Sequence, residues 1–170
     1  MSTQDMSIVD HLEELRWRIL KSLGSIVIMS ILTFNFANYL VEILIKPASQ
    51  INSDLNLQVL TIQGMFLLKW NLSIICGIIL SLPVITVQIW KFLSPGLYDK
   101  EKKILVPLIL TAFLCFILGG IFAYKVILPF SLDFFASMIT ADIQNNFSIN
   151  YYFSFVLSLM IGAGLILSLI

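Results

Sequence analysis

Two acidic side chains in this chain lie among basic residues at short range in the sequence. Glu14 lies in the segment HLEELRWR at 11–18, four residues before Arg18. Glu101 lies among lysines in the segment KFLSPGLYDKEKK at 91–103. Acidic and basic side chains at such short spacings can form ion pairs. For Glu14 and Arg18 taken alone, the simplest interpretation is a surface pair that contributes about 0.3–0.5 kcal/mol.

The spacing in segment 11–18 predicts a short amphipathic helix that leads into the first apolar run. Apolar side chains recur every three or four residues and form a stripe of Leu12, Leu15 and Ile19. The neighbouring face carries His11, Glu14 and Arg18.

The second segment predicts an ordered loop followed by a helix. Ser94-Pro95 is a typical helix start, Gly96 permits a tight backbone, and Asp99 is a further candidate cap. The lysines of the loop favour the cytoplasmic side of a membrane. That rule explains the lysines but not Glu101.

Other chemistry has little support in the sequence. The chain has one histidine, His11, and the two cysteines, Cys76 and Cys115, fall within apolar runs. There is no P-loop, HExxH or CxxC motif, so we expect no enzymatic activity, no metal and no cofactor. The formal net charge of zero implies no nucleic-acid partner.

Four apolar runs position these segments, at about 22–41, 68–90, 104–128 and 150–170. Each is long enough to cross a bilayer core of about 30 Å as a helix. Hydrophobic residues make up 59% of the chain and charged residues 12%, against about 25% charged in soluble domains. We therefore predict an all-α integral membrane protein, a polytopic helical bundle that forms one domain over residues 1–170.

The distribution of basic residues predicts the orientation. Seven of the ten lysines and arginines lie in 1–21 and 91–103, which we place in the cytoplasm together with the N-terminus. Segments 42–67 and 129–149 are then external. A cleaved signal peptide is the alternative for the first run, but the run is longer than an apolar signal region of about 7–15 residues and no small-residue cleavage site follows it.

Prolines within or next to the runs predict architectural features. Pro83 and Pro107 lie inside the second and third runs, and Pro129 closes the third. A proline within a spanning helix frees a carbonyl and can bend the helix, which would shape a concave surface.

Four segments together resemble the TatC family, the receptor subunit of the twin-arginine protein translocase. They are HLEELR at 11–16, LPVITVQIWKFLSPGLYDKEKK at 82–103, ILGGIFAYKVILPFSLDFF at 117–135 and YYFSFVL at 151–157. The resemblance implies Sec-independent translocation of folded precursors, which the protein would recognise through the paired arginines of their signal peptides. The residues that match the family's binding surface are Glu14, Glu101, His11, Arg16, Ser94, Pro95, Gly96, Leu97 and Tyr98. Those that match its structural positions are Pro83, Gln88, Pro107 and Pro129.

The resemblance also implies partners and a compartment. The partners are twin-arginine precursors, TatA- and TatB-like single-span subunits, membrane lipid, and further copies in homo- or hetero-oligomers. Phe92, Leu97 and Tyr98 would pack on the apolar part of the signal peptide, and segment 130–150 would cap the concave surface. A bacterial cytoplasmic membrane is favoured over a thylakoid or mitochondrial inner membrane.

The chain departs from the family pattern in two ways. Members of the family have six spans, so a chain with four is expected to be truncated at its C-terminus. Ser168 stands where the family usually has an intramembrane glutamate, which affects the contacts expected with the small subunits. The alternatives are a chain that is inactive as a translocase, and a solute transporter or respiratory-complex anchor lined by Asn71, Ser81 and Gln88.

Overall fold

Long apolar helices form most of the protein in a computed structural model. The structure describes residues 8–51, 56–93, 99–138 and 146–169. The helices that are long and apolar enough to cross a membrane are His11–Asn35, Gly64–Phe92, Pro107–Ser137 and Ile149–Leu169. The shortest has 21 residues, about 31 Å at 1.5 Å per residue. The predicted all-α bundle with four spanning helices is confirmed.

The elements follow one another in the order α1 (Ile8–Asn35), α2 (Ala37–Ile51), β1 (Asn56–Gln58), α3 (Gly64–Leu93), α4 (Asp99–Phe122), a π-helical turn (Ala123–Ile127), α5 (Leu128–Ser137), β2 (Asn146–Ser148) and α6 (Ile149–Leu169). The third span runs without a gap through α4, the π-helical turn and α5. The outer end of the bundle is the end that carries α2 and the strands. The inner end carries the start of α1 and the end of α3.

The first helix lies earlier in the chain than the apolar run at 22–41. α1 includes segment 11–18 and ends at Asn35, and the chain turns where the N–H of Phe36 donates to the carbonyl of Thr33 at 3.0 Å. The last residues of the run belong to α2, whose side chains Val41 and Leu44 are buried. A helix that covers a core and a helix that crosses a membrane have similar apolar composition, so hydropathy alone merges them.

A glycine allows close contact between α1 and α3. A Cβ atom on Gly77 would lie 2.7 Å from the backbone nitrogen of Ser30, a separation that side chains do not tolerate. Small residues at helix crossings let two backbones approach closely in membranes. Gly77 therefore lets α3 pack closely against α1. The two helices are antiparallel, since Phe34 contacts Trp70 at one end and His11 contacts Phe92 at the other.

A second close contact joins α4 and α6. A Cβ atom on Gly119 would lie 2.6 Å from the carbonyl oxygen of Ala163, and one on Gly164 would lie 2.9 Å from the ring of Phe116. Glycines on both helices thus meet at one crossing. The bundle consists of two helix pairs, each held by a backbone approach that larger residues would prevent.

Two tyrosines hold α2 against the outer end of the bundle. Pro47 lies inside α2 and has no N–H, so the carbonyl of Ile43 lacks its usual donor within the helix. The hydroxyl of Tyr124 donates to that carbonyl at 2.7 Å, and the hydroxyl of Tyr152 donates to the carbonyl of Leu44 at 2.7 Å. A buried carbonyl without a donor is costly, so these contacts stabilise α2 in its place.

The π-helical turn accommodates Pro129. A proline cannot donate to the carbonyl four residues before it, which here is that of Lys125. In this turn the N–H of Leu128 donates to the carbonyl of Ala123, five residues back. The wider turn lets the third span continue as far as Ser137.

The outer end also contains two short strands that the sequence did not predict. β1 and β2 pair in parallel, with Asn56 opposite Asn146 and Gln58 opposite Ser148. A cluster of buried hydrophobic residues lies at this end and includes Leu44, Leu72, Leu128, Tyr152 and Val156. The outer end of the bundle is therefore packed around a hydrophobic core within the described residues.

Candidate functional site

The inner end brings the start of α1 against the end of α3. The rings of His11 and Phe92 stack with their centroids 4.3 Å apart and their planes at 17°. This contact fixes the first turns of α1 beside the point where the chain leaves α3. It also places Phe92 against His11, and packing of Phe92 on a signal peptide, which the family resemblance implies, stays a prediction.

Glu14 and Arg18 form an ion pair that is mostly buried. The Nε atom of Arg18 donates to Oε1 of Glu14 at 3.0 Å, and Nη2 of Arg18 donates to the same oxygen. The exposed fractions of the two side chains are 23% for Glu14 and 19% for Arg18. The pair therefore differs from the exposed surface pair that spacing alone suggested, since partly buried charges are less screened by water.

The second oxygen of Glu14 is an open acceptor. Oε2 is buried and accepts no hydrogen bond within the described part of the chain. Nδ1 of His11 lies 3.8 Å away, beyond hydrogen-bond distance. A buried acceptor without a donor costs about 1–3 kcal/mol, and more when it is charged. Within the described residues, the Glu14 carboxylate therefore keeps acceptor capacity that no hydrogen bond uses.

Helical geometry explains which residues meet. Positions 11, 14 and 18 follow spacings of three and four residues and lie on one face of α1, as predicted. Arg16 lies two positions from Glu14, about 200° around the helix, and its side chain is exposed. The structure therefore gathers His11, Glu14 and Arg18, and it leaves Arg16 on another face.

The second half of the expected site is described only in part. Ser94, Pro95, Gly96, Leu97 and Tyr98 lie outside the described residues. α4 begins at Asp99, which puts Glu101 in its first turn, but the side chain of Glu101 is also outside the described part. Only residues 94–98 lie between α3 and α4. The start of α4, which includes the backbone of Glu101, is therefore at the same inner end as Glu14.

One polar atom near this end was not anticipated from the sequence. Nε1 of Trp90 is buried and donates to no acceptor among the described residues. Tryptophan near the end of a spanning helix is typical of the membrane interface. The position of Trp90 at the end of an apolar run was therefore the one feature of the sequence that pointed to it. Its burial depends on neighbouring helices, which spacing within α3 cannot reveal.

The prolines and glutamine expected to be structural lie within helices or at their start. Pro83 lies inside α3 and Pro107 inside α4, whereas Pro129 is at the start of α5. The side chain of Gln88, on the inner half of α3, is partly buried. An open cavity of about 440 Å³ lies between α3 and α6, and neither Pro83 nor Pro107 lines it. Its polar lining consists of Asn71, Asn150, Ser154 and Ser158.

Comparison with known proteins gives a consistent result. The family model described as Sec-independent protein translocase protein (TatC) matches residues 10–170. The TatC protein of Aquifex aeolicus (strain VF5) is 35% identical over 162 residues, which cover 94% of this chain and 68% of that protein. The chloroplastic protein of Pisum sativum is 36% identical over 162 residues, with 95% of this chain and 45% of that protein covered.

A solved structure agrees with these relatives. The crystal structure of the twin arginine translocase receptor TatC superimposes with a TM-score of 0.79 at 35% identity, covering 91% of this chain and 69% of that one. The chain spans 64% of the length of the relative from Azotobacter chroococcum mcd 1. On the family match over residues 10–170 and these identities, this multi-pass membrane protein belongs to the TatC family of Sec-independent protein translocase proteins, which are translocase components and not enzymes.

Proposed function

We propose that the inner end of this protein binds the twin-arginine signal peptides of precursors that are translocated independently of Sec. Glu14 and Glu101 accept the two guanidinium groups in this proposal. Its main support is the open Oε2 atom of Glu14, which is buried next to an ion pair and lacks a donor among the described residues. The solved relative named as a twin arginine translocase receptor agrees with this role.

The recognition chemistry follows from the shapes of the two groups. A guanidinium is planar and presents parallel N–H donors that match the two oxygens of a carboxylate. An ammonium is a compact point charge and cannot make the same two-point contact. A hydrogen bond to a charged group contributes about 1.5–3 kcal/mol. A mostly buried carboxylate such as Glu14 is therefore suited to distinguish arginine from lysine.

The segment that follows α3 supplies the rest of the proposed site. Glu101 would accept the second arginine, and Ser94, Pro95 and Gly96 would shape the loop. Leu97 and Tyr98 would contact the apolar part of the signal peptide. Lys100, Lys102 and Lys103 would hold this segment at anionic lipid headgroups. The exposed side chain of Arg16 would bind such headgroups in the same way.

The orientation and the partners complete the proposal. The inner end would face the cytoplasm of a bacterium, because most lysines and arginines belong to it. TatA- and TatB-like single-span subunits and further copies of the chain would assemble around it. The hydroxyl of Ser168 donates to the carbonyl of Leu165 at 2.9 Å within its own helix. This position therefore offers a partner no carboxylate.

The structure offers no support for the alternative of a solute transporter. Its candidate lining residues lie apart on α3: Asn71 borders the cavity near the outer end, and Gln88 is on the inner half. Ser81 is fully buried and donates to the carbonyl of Gly77 at 2.7 Å. These residues do not line a shared path through the described part of the bundle.

Photo-crosslinking tests the proposed site. A twin-arginine signal peptide that carries a photoreactive group is added to vesicles containing the full chain. We expect Glu14→Gln to lower the crosslinking yield about tenfold or more, because it removes the charge that pairs with arginine. Glu13→Gln is the matched control, since Glu13 is the adjacent residue and its side chain is exposed.

The controls define what would contradict the proposal. The amount of inserted protein is measured for each variant, so a lower yield cannot result from lost protein. An unchanged yield for Glu14→Gln would show that the site is elsewhere. Equal crosslinking yields for a twin-lysine peptide and the twin-arginine peptide on the wild-type chain would also contradict the proposal.

A further inference from the structure

A second cavity of about 440 Å³ lies at the outer end of the bundle, away from the proposed signal-peptide site. Residues of α2, α5, α6 and both strands line it. No acidic or basic side chain belongs to this lining in the described part of the chain. Ligand sites in proteins have volumes of about 300–1,000 Å³ and mostly apolar walls. The outer cavity therefore has the size and the chemistry of a site for an uncharged, apolar ligand.

The exposure of the lining residues distinguishes the base of the outer cavity from its mouth. Ala48, Leu132 and Tyr152 are buried and form the base. The hydroxyl of Tyr152 donates to the carbonyl of Leu44 at 2.7 Å, which holds its ring in place. Tyr151 is 81% exposed and lies at the mouth. The cavity thus has a fixed base and opens to the surface of the bundle.

The paired strands contribute to the wall of the outer cavity. Leu57 of β1 lies opposite Phe147 of β2, and both side chains line the cavity. Phe135 of α5 and Phe155 of α6 also line it, and their rings meet edge to face with centroids 5.7 Å apart. Contacts between distant segments of the chain therefore give the cavity a definite shape.

The outer cavity lies at the depth where lipid chains meet headgroups. α6 has 21 residues and a length of about 31 Å, which matches a hydrocarbon core of about 30 Å. Its start at Ile149 is therefore near one surface of that core. Tyr151, Tyr152 and Phe155 lie within about 9 Å of this start at 1.5 Å per residue. Tyrosine is typical of this interface, where one end of the ring is apolar and the other is wet.

We propose that the outer cavity binds one acyl chain of a phospholipid from the membrane leaflet at the outer end. The chain would lie over Leu132 and against the rings of Phe135 and Phe155. The hydroxyls of Ser148 and Tyr151 can donate to the ester carbonyls of the same lipid. Water is a poor occupant, because a buried water needs two to four polar partners. Lipid chains are the apolar molecules that surround an opening at this depth.

Photolabelling in vesicles tests this site. The full chain is reconstituted in phosphatidylcholine that contains a small fraction of the same lipid with a diazirine at the end of one acyl chain. This lipid is zwitterionic, so lysines do not concentrate the probe. Mass spectrometry after proteolysis compares the label on segment 151–155 of α6 with the label on segment 28–32 of α1. The second segment is the reference, because Ile28 and Ile31 are exposed and lie near the outer end of α1.

Substitutions on α5 fill the outer cavity without changing the labelled segments. Ala136 lines the cavity, and Ser137 is an exposed neighbour outside the lining. We expect Ala136→Phe to lower the ratio of label on 151–155 to label on 28–32 about tenfold, because displacing about two buried methylene groups changes an equilibrium constant by that factor. Ala136→Leu fills less of the cavity and should give an intermediate ratio. Ser137→Phe adds the same ring outside the cavity and should keep the wild-type ratio.

The inference has clear contradicting outcomes. A wild-type chain in which segment 151–155 carries no label would overturn it, as would be expected if a second copy of the chain covered the cavity. A ratio that neither Ala136→Phe nor Ala136→Leu changes would also overturn it. The same holds if Ser137→Phe lowers the ratio as much as Ala136→Phe does.

Discussion

At the scale of single residues, burial distinguishes side chains of the same type that are adjacent in the sequence. Glu13 and Glu14 are adjacent and identical in type, but Glu13 is exposed and Glu14 is 23% exposed. The rotation of about 100° per residue along a helix explains the difference. The spacing of His11, Glu14 and Arg18 predicted their common face. It could not predict the burial, because burial depends on helices from distant parts of the chain, such as α3, whose Phe92 stacks on His11.

The contact between Tyr124 and α2 belongs to the same scale. Removing the hydroxyl with Tyr124→Phe leaves the carbonyl of Ile43 without its donor, since Pro47 cannot supply one. We expect a loss of about 1–3 kcal/mol in the free energy of unfolding. Reversible unfolding in detergent micelles, followed by circular dichroism, measures this change.

Pro47→Ala provides an internal control for that prediction. An alanine at this position restores the N–H that can donate to the carbonyl of Ile43, so Tyr124→Phe should cost much less in the Pro47→Ala background. Tyr151→Phe should have little effect, because Tyr151 is 81% exposed. Equal costs for Tyr124→Phe in both backgrounds would show that the hydroxyl does not replace the missing donor.

At the scale of elements, glycines decide how the helices pair. Gly77 lies against Ser30 in one pair, and Gly119 lies against Ala163 and Gly164 in the other. Hydropathy predicted the four spans because their length and composition are sufficient for that. It could not predict which glycine lies at a crossing, because the partner of each is far away in the sequence. The strands β1 and β2 were missed for a related reason, since their three-residue pairing connects two segments that are far apart in the sequence.

The crossing of α4 and α6 leads to a stability prediction. Gly119→Ala would place a methyl group 2.6 Å from the carbonyl oxygen of Ala163, so the helices must separate. We expect a destabilisation of about 1–3 kcal/mol. Gly162→Ala is the matched control, because Gly162 is on α6 and has no atom within 4 Å of the added methyl group.

The control should be neutral or slightly stabilising, since alanine is a better helix former than glycine. Both variants can be compared by unfolding in detergent micelles. If Gly119→Ala were as stable as Gly162→Ala, the close approach of the two backbones would be refuted.

At the scale of the whole molecule, packing and the proposed function lie at opposite ends. The cluster of buried hydrophobic residues, the tyrosine contacts and the paired strands lie at the outer end. At the inner end, the stacked rings of His11 and Phe92 join α1 to α3, and the ion pair of Glu14 and Arg18 lies within α1.

The central claim is that the Glu14 carboxylate recognises arginine, and a double-mutant cycle tests it most directly. Dissociation constants are measured in vesicles for the wild-type chain and Glu14→Gln, each with a twin-arginine peptide and a peptide carrying two glutamines instead. The account predicts a coupling of about 1.5–3 kcal/mol, with Glu14→Gln weakening only the twin-arginine peptide. Equal weakening of both peptides, and hence a coupling near zero, would contradict it.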